Sequence, residues 1–182
     1  MQKKIRLSKC SLGKNEINSV IRTLKSDFLG MGPKVKQFEN ILSNYFKRDT
    51  VCVSSGTAAL HLAIDALDLD YNAEIIIPSN TYVAGLQAIL ASNKKPVLCD
   101  INMDDLSICL KDLENKISRN TKVIMPTLYG GNPGNIKEVY KIAKKYRIRV
   151  IEDAAHALGS CLGKKKVGSF GDIVCFSFDG IK

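Results

Sequence analysis

Residues 122–153 read KVIMPTLYGGNPGNIKEVYKIAKKYRIRVIED, a strand–helix–strand pattern. Lys122-Val123-Ile124-Met125 is a short apolar run stopped by Pro126, the pattern of a buried strand. Pro133 is placed to open a helix running to about Tyr146, because a proline in the first helical turn sacrifices no hydrogen bond. Arg149-Val150-Ile151 is a second strand, and it delivers Glu152 and Asp153 at its carboxyl end.

The same alternation continues to either side. Residues 50–53 read as a strand, followed by a helix over 57–67 in which Leu60, Ile64 and Leu67 follow helical spacing. Residues 74–77 are a strand stopped by Pro78, 82–91 a helix, 96–100 a strand, 110–117 a helix and 173–177 a last strand. Strands of nearly continuous Val, Ile and Leu separated by helices predict an α/β fold, a mostly parallel sheet covered on both faces. In such sheets ligands bind beyond the carboxyl ends of the strands.

The first fifty residues differ. Helices are predicted over 15–26 and 34–46, with Val35, Phe38, Leu42 and Tyr45 on one stripe, separated by the Gly- and Pro-punctuated loop FLGMGP (28–33). The expected organisation is therefore a helical arm over 1–49, packing on the main domain or on a second subunit, and a sheet domain over 50–182.

Composition sets outer limits. The chain has 182 residues, 45% hydrophobic and 25% charged, enough for one sizeable core. No apolar run approaches the ~20 residues that span a bilayer. The basic start MQKKIRLSKC is followed by no apolar signal region, so a cytoplasmic protein is the expectation. Six cysteines occur without CxxC spacing and with only His61 and His156 beside them, which predicts no metal site. Cys52, Cys99 and Cys175 sit in apolar runs, where a reduced thiol behaves as a small hydrophobe.

The net charge is +9, and residues 1–50 hold 11 Lys and Arg against 4 Asp and Glu. These cations are spread singly with no interleaved aromatics and no nucleic-acid-binding motif, so a solvated basic face is expected and no nucleic acid.

Three clusters follow strands. Ser54-Ser55-Gly56-Thr57 lies between a strand and a helix and is either a phosphate cradle of outward amides or a Ser-capped helix start. Asp153 ends a buried strand, where a carboxylate must be paired or hydrogen-bonded. It either caps a helix or meets a cationic partner such as a pyridinium nitrogen. His156 is ambiguous by itself, and His61, on a helix, reads as structural. Ser177 can donate to a phosphate, and Lys182 either reaches the same pocket or is solvated surface. An acid for a ring nitrogen, donors for a phosphate and an amine for an aldehyde together are far more specific than any one of them.

Together these residues resemble the DegT/DnrJ/EryC1/StrS family of sugar aminotransferases. The similarity runs through Gly32-Pro33-Lys34-Val35 with Phe38-Glu39, then SSGTAALHLA (54–63), PSNTYVA (78–84), LYGGNPGNI (128–136), EDAAHALGS (152–160) and GSFGDIVCFSFDGIK (168–182). The resemblance implies the aspartate-aminotransferase (type I) fold and pyridoxal 5′-phosphate (PLP) as cofactor. By position, Gly56, Thr57 and Ser177 are implied to bind the phosphate. Tyr82 is implied to stack on the ring, its alternative being a core aromatic at a helix start. Asp153 is implied to pair with the ring nitrogen, His156 to lie near the ring 3′-hydroxyl, and Lys182 to hold the cofactor covalently and shuttle protons.

The implied reaction moves an amino group from an amino acid, glutamate in much of the family, to a keto group on a nucleotide-linked deoxysugar. Such products feed polysaccharide or glycoside biosynthesis. Sugar dehydratases of this fold carry histidine where this chain has Lys182, so the lysine favours transamination over that alternative. Family members continue for about as many residues again, with the rest of the large domain and a small C-terminal domain. The expectation is thus a C-terminally truncated large domain, with an inactive remnant or a binding module needing a complementary chain as a further alternative. The family's usual assembly is a homodimer with shared sites.

Overall fold

A computed structural model describes residues 10–26 and 28–180. The chain forms two compact units, one of Met1–Cys52 with Asp179–Lys182, the other of Val53–Phe178.

In the first unit, α1 (Lys14–Leu24) opens with the Gly13 N–H donating to Glu16 Oε2 at 2.7 Å, the backbone half of a capping box. The helix α2 (Pro33–Phe46) has proline in its first turn and buries Leu42 and Phe46, whereas α1 buries no residue. The strand expected over 50–53 does not form. Side chains of α2 take its donors instead: the Thr50 N–H donates to Ser43 Oγ at 3.1 Å and the Cys52 N–H to Glu39 Oε1 at 2.9 Å. Backbone groups satisfied in this way have no need of a sheet ladder.

The second unit contains the sheet. In chain order its strands are β1 (Glu74–Pro78), β2 (Lys95–Cys99), β3 (Thr121–Ile124), β4 (Arg149–Asp153), β5 (Cys161–Leu162), β6 (Lys165–Lys166) and β7 (Ile173–Cys175). Five of them form one parallel sheet in the order β2-β1-β3-β4-β7, and β5 and β6 make a separate antiparallel hairpin. The helices are α3 (Gly56–Asp65), α4 (Val83–Ala91), α5 (Leu110–Lys116) and α6 (Ile136–Tyr146).

Side chains alternate between faces along a strand, and the two halves of the core follow that alternation. Ile75 and Ile77 pack with Leu60 and Ile64 of α3 and with Ala88 and Ile89 of α4. Ile76 packs on the other side with Leu113 of α5 and with Val139 and Ile142 of α6. Burying each isoleucine contributes about 1.5–3 kcal/mol, so β1, buried along its whole length, anchors both layers. On β4, Ile151 belongs to the α3/α4 side and Val150 to the α5/α6 side. Asp153 therefore shares the α3/α4 face and Glu152 the opposite one.

Glu152 is fully buried and is held by a polar seam. Tyr140 of α6 donates its hydroxyl to Glu152 Oε1 at 2.6 Å and accepts from the Asp172 N–H at 2.9 Å. Asp172 in turn receives both a forked Arg149 guanidinium and the Val150 N–H. Gly171 has φ +95, and a Cβ there would lie 2.4 Å from Glu152 Oε1 and 2.6 Å from the Tyr140 hydroxyl, so only glycine fits. The seam fixes the start of β7 against β4, with Asp153 opposite Cys175.

Two smaller differences from expectation have local causes. The helix expected from Pro133 begins at Ile136, because Gly134 turns the chain at φ +48 and its N–H donates to Asn132 Oδ1 at 3.0 Å. The hairpin of β5 and β6 has strands of two residues, too short to show any periodicity in sequence.

Candidate functional site

The carboxyl ends of the parallel strands gather most of the singled-out residues. At the start of α3, Ser55 is the N-cap and its Oγ accepts from the Ala58 N–H at 3.1 Å. The amides of Gly56 and Thr57, at the first two helical positions, make no hydrogen bond to a described residue. The Ser-capped helix start is thus observed, with these two amides at its first turn. A Cβ at Gly56 would lie 3.2 Å from Ser177 Cβ and 3.5 Å from Ser177 Oγ, so the bare glycine backbone and the serine hydroxyl converge. A helix N-terminus with free amides, a hydroxyl and no side chain between them suits a phosphate.

Asp153 is 5% exposed at the end of β4. Its backbone is fixed on both sides, the N–H to Pro126 O and the carbonyl to the Leu128 N–H, each at 2.9 Å. The helix-cap alternative is overturned, since residues 155–156 and 158–159 form turns and no helix follows. Asp153 Oδ1 instead accepts from the Ala155 N–H at 3.1 Å, an Asx-type turn. Beside it on β7 lies Cys175, whose thiol is pushed up to about 12 by burial first and then by the negative charges of Asp153 and Glu152.

His156 follows in the same turn and is exposed. Its Nδ1 accepts from the Gly130 N–H at 3.3 Å, so the neutral ring carries its proton on Nε2. Tyr129 packs edge-on against the ring with centroids 5.8 Å apart. Gly131, at φ +82, lies where a Cβ would come within 2.8 Å of His156 O, so its bare backbone lets the loop approach the histidine, while Gly130 turns the chain at φ +61. Sequence alone quoted these glycines within a motif without assigning that task.

Tyr82 is the N-cap residue of α4 and is 69% exposed, which overturns its reading as a core aromatic. Immediately before it, Thr81 Oγ1 lies 2.9 Å from Thr127 Oγ1. Thr127 is in turn bridged in parallel register to Asp153. Thr81 lies within the PSNTYVA motif, but its pairing with Thr127, 46 positions away, left no signal in sequence. His61, half-buried on α3, has Nε2 3.4 Å from Asp65 Oδ2, one turn away. Lys182 lies outside the described residues. The structure thus brings Gly56 to Ser177, and links Asp153 through Thr127 to the Tyr82 turn.

The described residues contain no helix long and apolar enough to cross a membrane.

Comparison with known proteins places this geometry in context. Residues 10–182 match the model of the DegT/DnrJ/EryC1/StrS aminotransferase family. An uncharacterized protein of Methanocaldococcus jannaschii is 42% identical over 172 residues, which cover 94% of this chain and 45% of that protein. The dTDP-4-dehydro-2,3,6-trideoxy-D-glucose 4-aminotransferase of Saccharopolyspora spinosa is 33% identical, over 98% of this chain and 47% of its own length. A candidate sugar aminotransferase of Streptococcus pneumoniae, solved in its PLP form, superposes with TM-score 0.95 at 33% identity, covering 99% of this chain and 50% of that one. The α/β fold is therefore that of aminotransferases. The chain spans about half the length of the curated relatives it matches.

Proposed function

We propose, on the premise that this chain belongs to the DegT/DnrJ/EryC1/StrS aminotransferase family, that it carries the PLP-binding part of a sugar aminotransferase. The reaction moves an amino group from an amino acid such as glutamate to a keto group of a nucleotide-linked deoxysugar, leaving an oxo acid and an amino sugar. PLP, when bound, supplies an aldehyde that takes up the amine and a ring that accepts the electron pair left when a proton departs.

The residues present fit that group. The amides of Gly56 and Thr57 with the Ser177 hydroxyl hold the phosphate. Asp153, on a buried strand end, holds a proton at the pyridine nitrogen. His156 offers its Nε2–H to the ring oxygen. Tyr82 covers a ring face and excludes water. Lys182 Nζ holds the cofactor at rest, then takes up and returns the substrate's α-proton as general base and acid.

The observation that carries this reading is the convergence of the Gly56/Ser177 cradle with Asp153 at the carboxyl ends of one parallel sheet. The same convergence would serve the dehydratase alternative, and it is Lys182, where sugar dehydratases of this fold carry histidine, that favours transamination. We further infer that residues 1–49 form an arm and residues 50–182 the cofactor-binding part of a cytoplasmic homodimer. The uncovered apolar stripe of α1, Ile17, Val20, Ile21 and Leu24, supports an arm that packs on a second surface.

The test is a half-reaction. Incubated with PLP and glutamate, the purified chain should convert the cofactor to its amine form and release 2-oxoglutarate in equal amount. A keto-deoxysugar product formed from a nucleotide-linked sugar with no amino donor present would contradict transamination.

A further inference from the structure

Strand order singles out one crevice in this sheet. From β1 the chain runs outward to β2 through α4, and β3 then returns to the other side of β1. The helix α4 packs with α3 on one face, whereas α5 and α6 pack on the other. The connections leaving β1 and β3 therefore diverge toward opposite faces. Between two such strands the carboxyl-end loops part, and ligands of doubly wound sheets bind there.

One side-chain contact spans that opening. Thr81 stands three residues beyond the end of β1 and Thr127 three residues beyond the end of β3, and their hydroxyls meet at 2.9 Å. Each threonine is tied to a different candidate cofactor contact. Thr81 adjoins Tyr82, whose exposed ring starts α4. Thr127 is in register with Asp153, whose backbone is bonded to the residues flanking Thr127, Pro126 and Leu128. A ring held by Asp153 at its nitrogen and by Tyr82 on its face has its tilt set by the distance between those two supports.

We propose that Thr81 and Thr127 are a positioning pair whose hydroxyl–hydroxyl hydrogen bond across the β1/β3 crevice fixes Tyr82 relative to Asp153 and so sets the cofactor ring's orientation. This rests on the PLP reading given above. Neither hydroxyl needs to touch the cofactor, and the residues act through Tyr82 and Asp153. Two hydroxyls meeting each other use one proton in their own bond, and the Thr81 hydroxyl also donates to Tyr82 O at 3.4 Å.

The test uses the full chain with Thr81→Val, Thr127→Val, the double valine variant, and Thr81→Ser and Thr127→Ser. Without cofactor, each single valine variant should speed amide exchange over residues 79–83 several-fold, while exchange in β1 and β3 stays as in the wild type. With PLP, each should lose much of the circular dichroism induced in the cofactor band. Its PLP dissociation constant should rise about 2- to 12-fold, the equivalent of one neutral hydrogen bond. The serine variants should restore both signals.

The double valine variant separates positioning from plain structure. Replacing both partners by apolar groups of equal shape recovers much of the unfolding stability. The cofactor dichroism should nevertheless remain lost. Unchanged exchange over 79–83 in the single valine variants overturns the proposal, as does dichroism that recovers in step with stability in the double variant. A wild-type chain that gives no cofactor signal contradicts the PLP reading itself and any cofactor-positioning role with it, while the exchange data still report whether the bridge holds the turn.

Discussion

Replacing Tyr140 by phenylalanine removes one oxygen atom from the centre of the seam that joins α6, β4 and the start of β7. That oxygen donates to the fully buried Glu152 at 2.6 Å and accepts from the Asp172 N–H at 2.9 Å. Burial, and then the charge of Glu152, raise the phenol well above the ordinary tyrosine range, so it stays a protonated donor. Loss of a hydrogen bond to a charged group costs about 1.5–3 kcal/mol and of a neutral one about 0.5–1.5 kcal/mol. The two share an atom and are not independent, so the expected loss for Tyr140→Phe is about 2–4 kcal/mol. Urea unfolding should show a lower midpoint with an unchanged slope. Amide exchange should quicken in Ile173–Cys175, the strand that brings Ser177 beside Gly56. A loss below about 0.5 kcal/mol, the level of an ordinary surface change, would refute the idea that this seam sets the register of β7 on β4.

Gly56→Val places side-chain carbons where a Cβ alone is already 3.2 Å from Ser177 Cβ, so PLP affinity should fall by about 10-fold or more while the chain stays folded; unchanged affinity would remove Gly56 from the phosphate site. Burial first, with Asp112 at Cys99 and with Asp153 and Glu152 at Cys175, pushes both thiols up to about 12 from an ordinary value near 9. Because these folded-state values are raised, the stability that the thiols contribute is complete below about pH 9 and is lost as pH rises toward 12. At pH 8 a thiol reagent should label the exposed Cys10 and Cys161 at once and reach Cys99 and Cys175 only on unfolding, and rapid labelling of Cys175 in folded protein would contradict its burial beside Asp153.

The core strands are legible in the sequence because their apolar runs are continuous. Glu74-Ile75-Ile76-Ile77 and Arg149-Val150-Ile151 can bury both faces only in a covered parallel sheet. Which of Glu152 and Asp153 meets Tyr140 and which shares the α3/α4 face becomes visible only in the folded sheet. Residues 50–53 escape such reasoning, since their apolar character matches a strand while Glu39 and Ser43, side chains of the preceding helix, take the backbone donors. Pro133 misleads for a similar reason. A turn residue at positive φ, Gly134, intervenes before the helix. Within the site, motif residues stand out by type, but the contacts that position them do not: the Gly130 amide on His156 and the Thr81–Thr127 bridge join segments that only the folded sheet brings together.

The central claim, that these strand ends form a PLP site served by Lys182, is tested most directly by trapping the cofactor. The purified chain is mixed with PLP, reduced with borohydride and digested, and the peptides are weighed. Cofactor mass fixed on Lys182, with an absorbance near ~420 nm before reduction and neither signal in Lys182→Ala, is the predicted result. Cofactor mass spread over surface lysines, with none favouring Lys182, would contradict it.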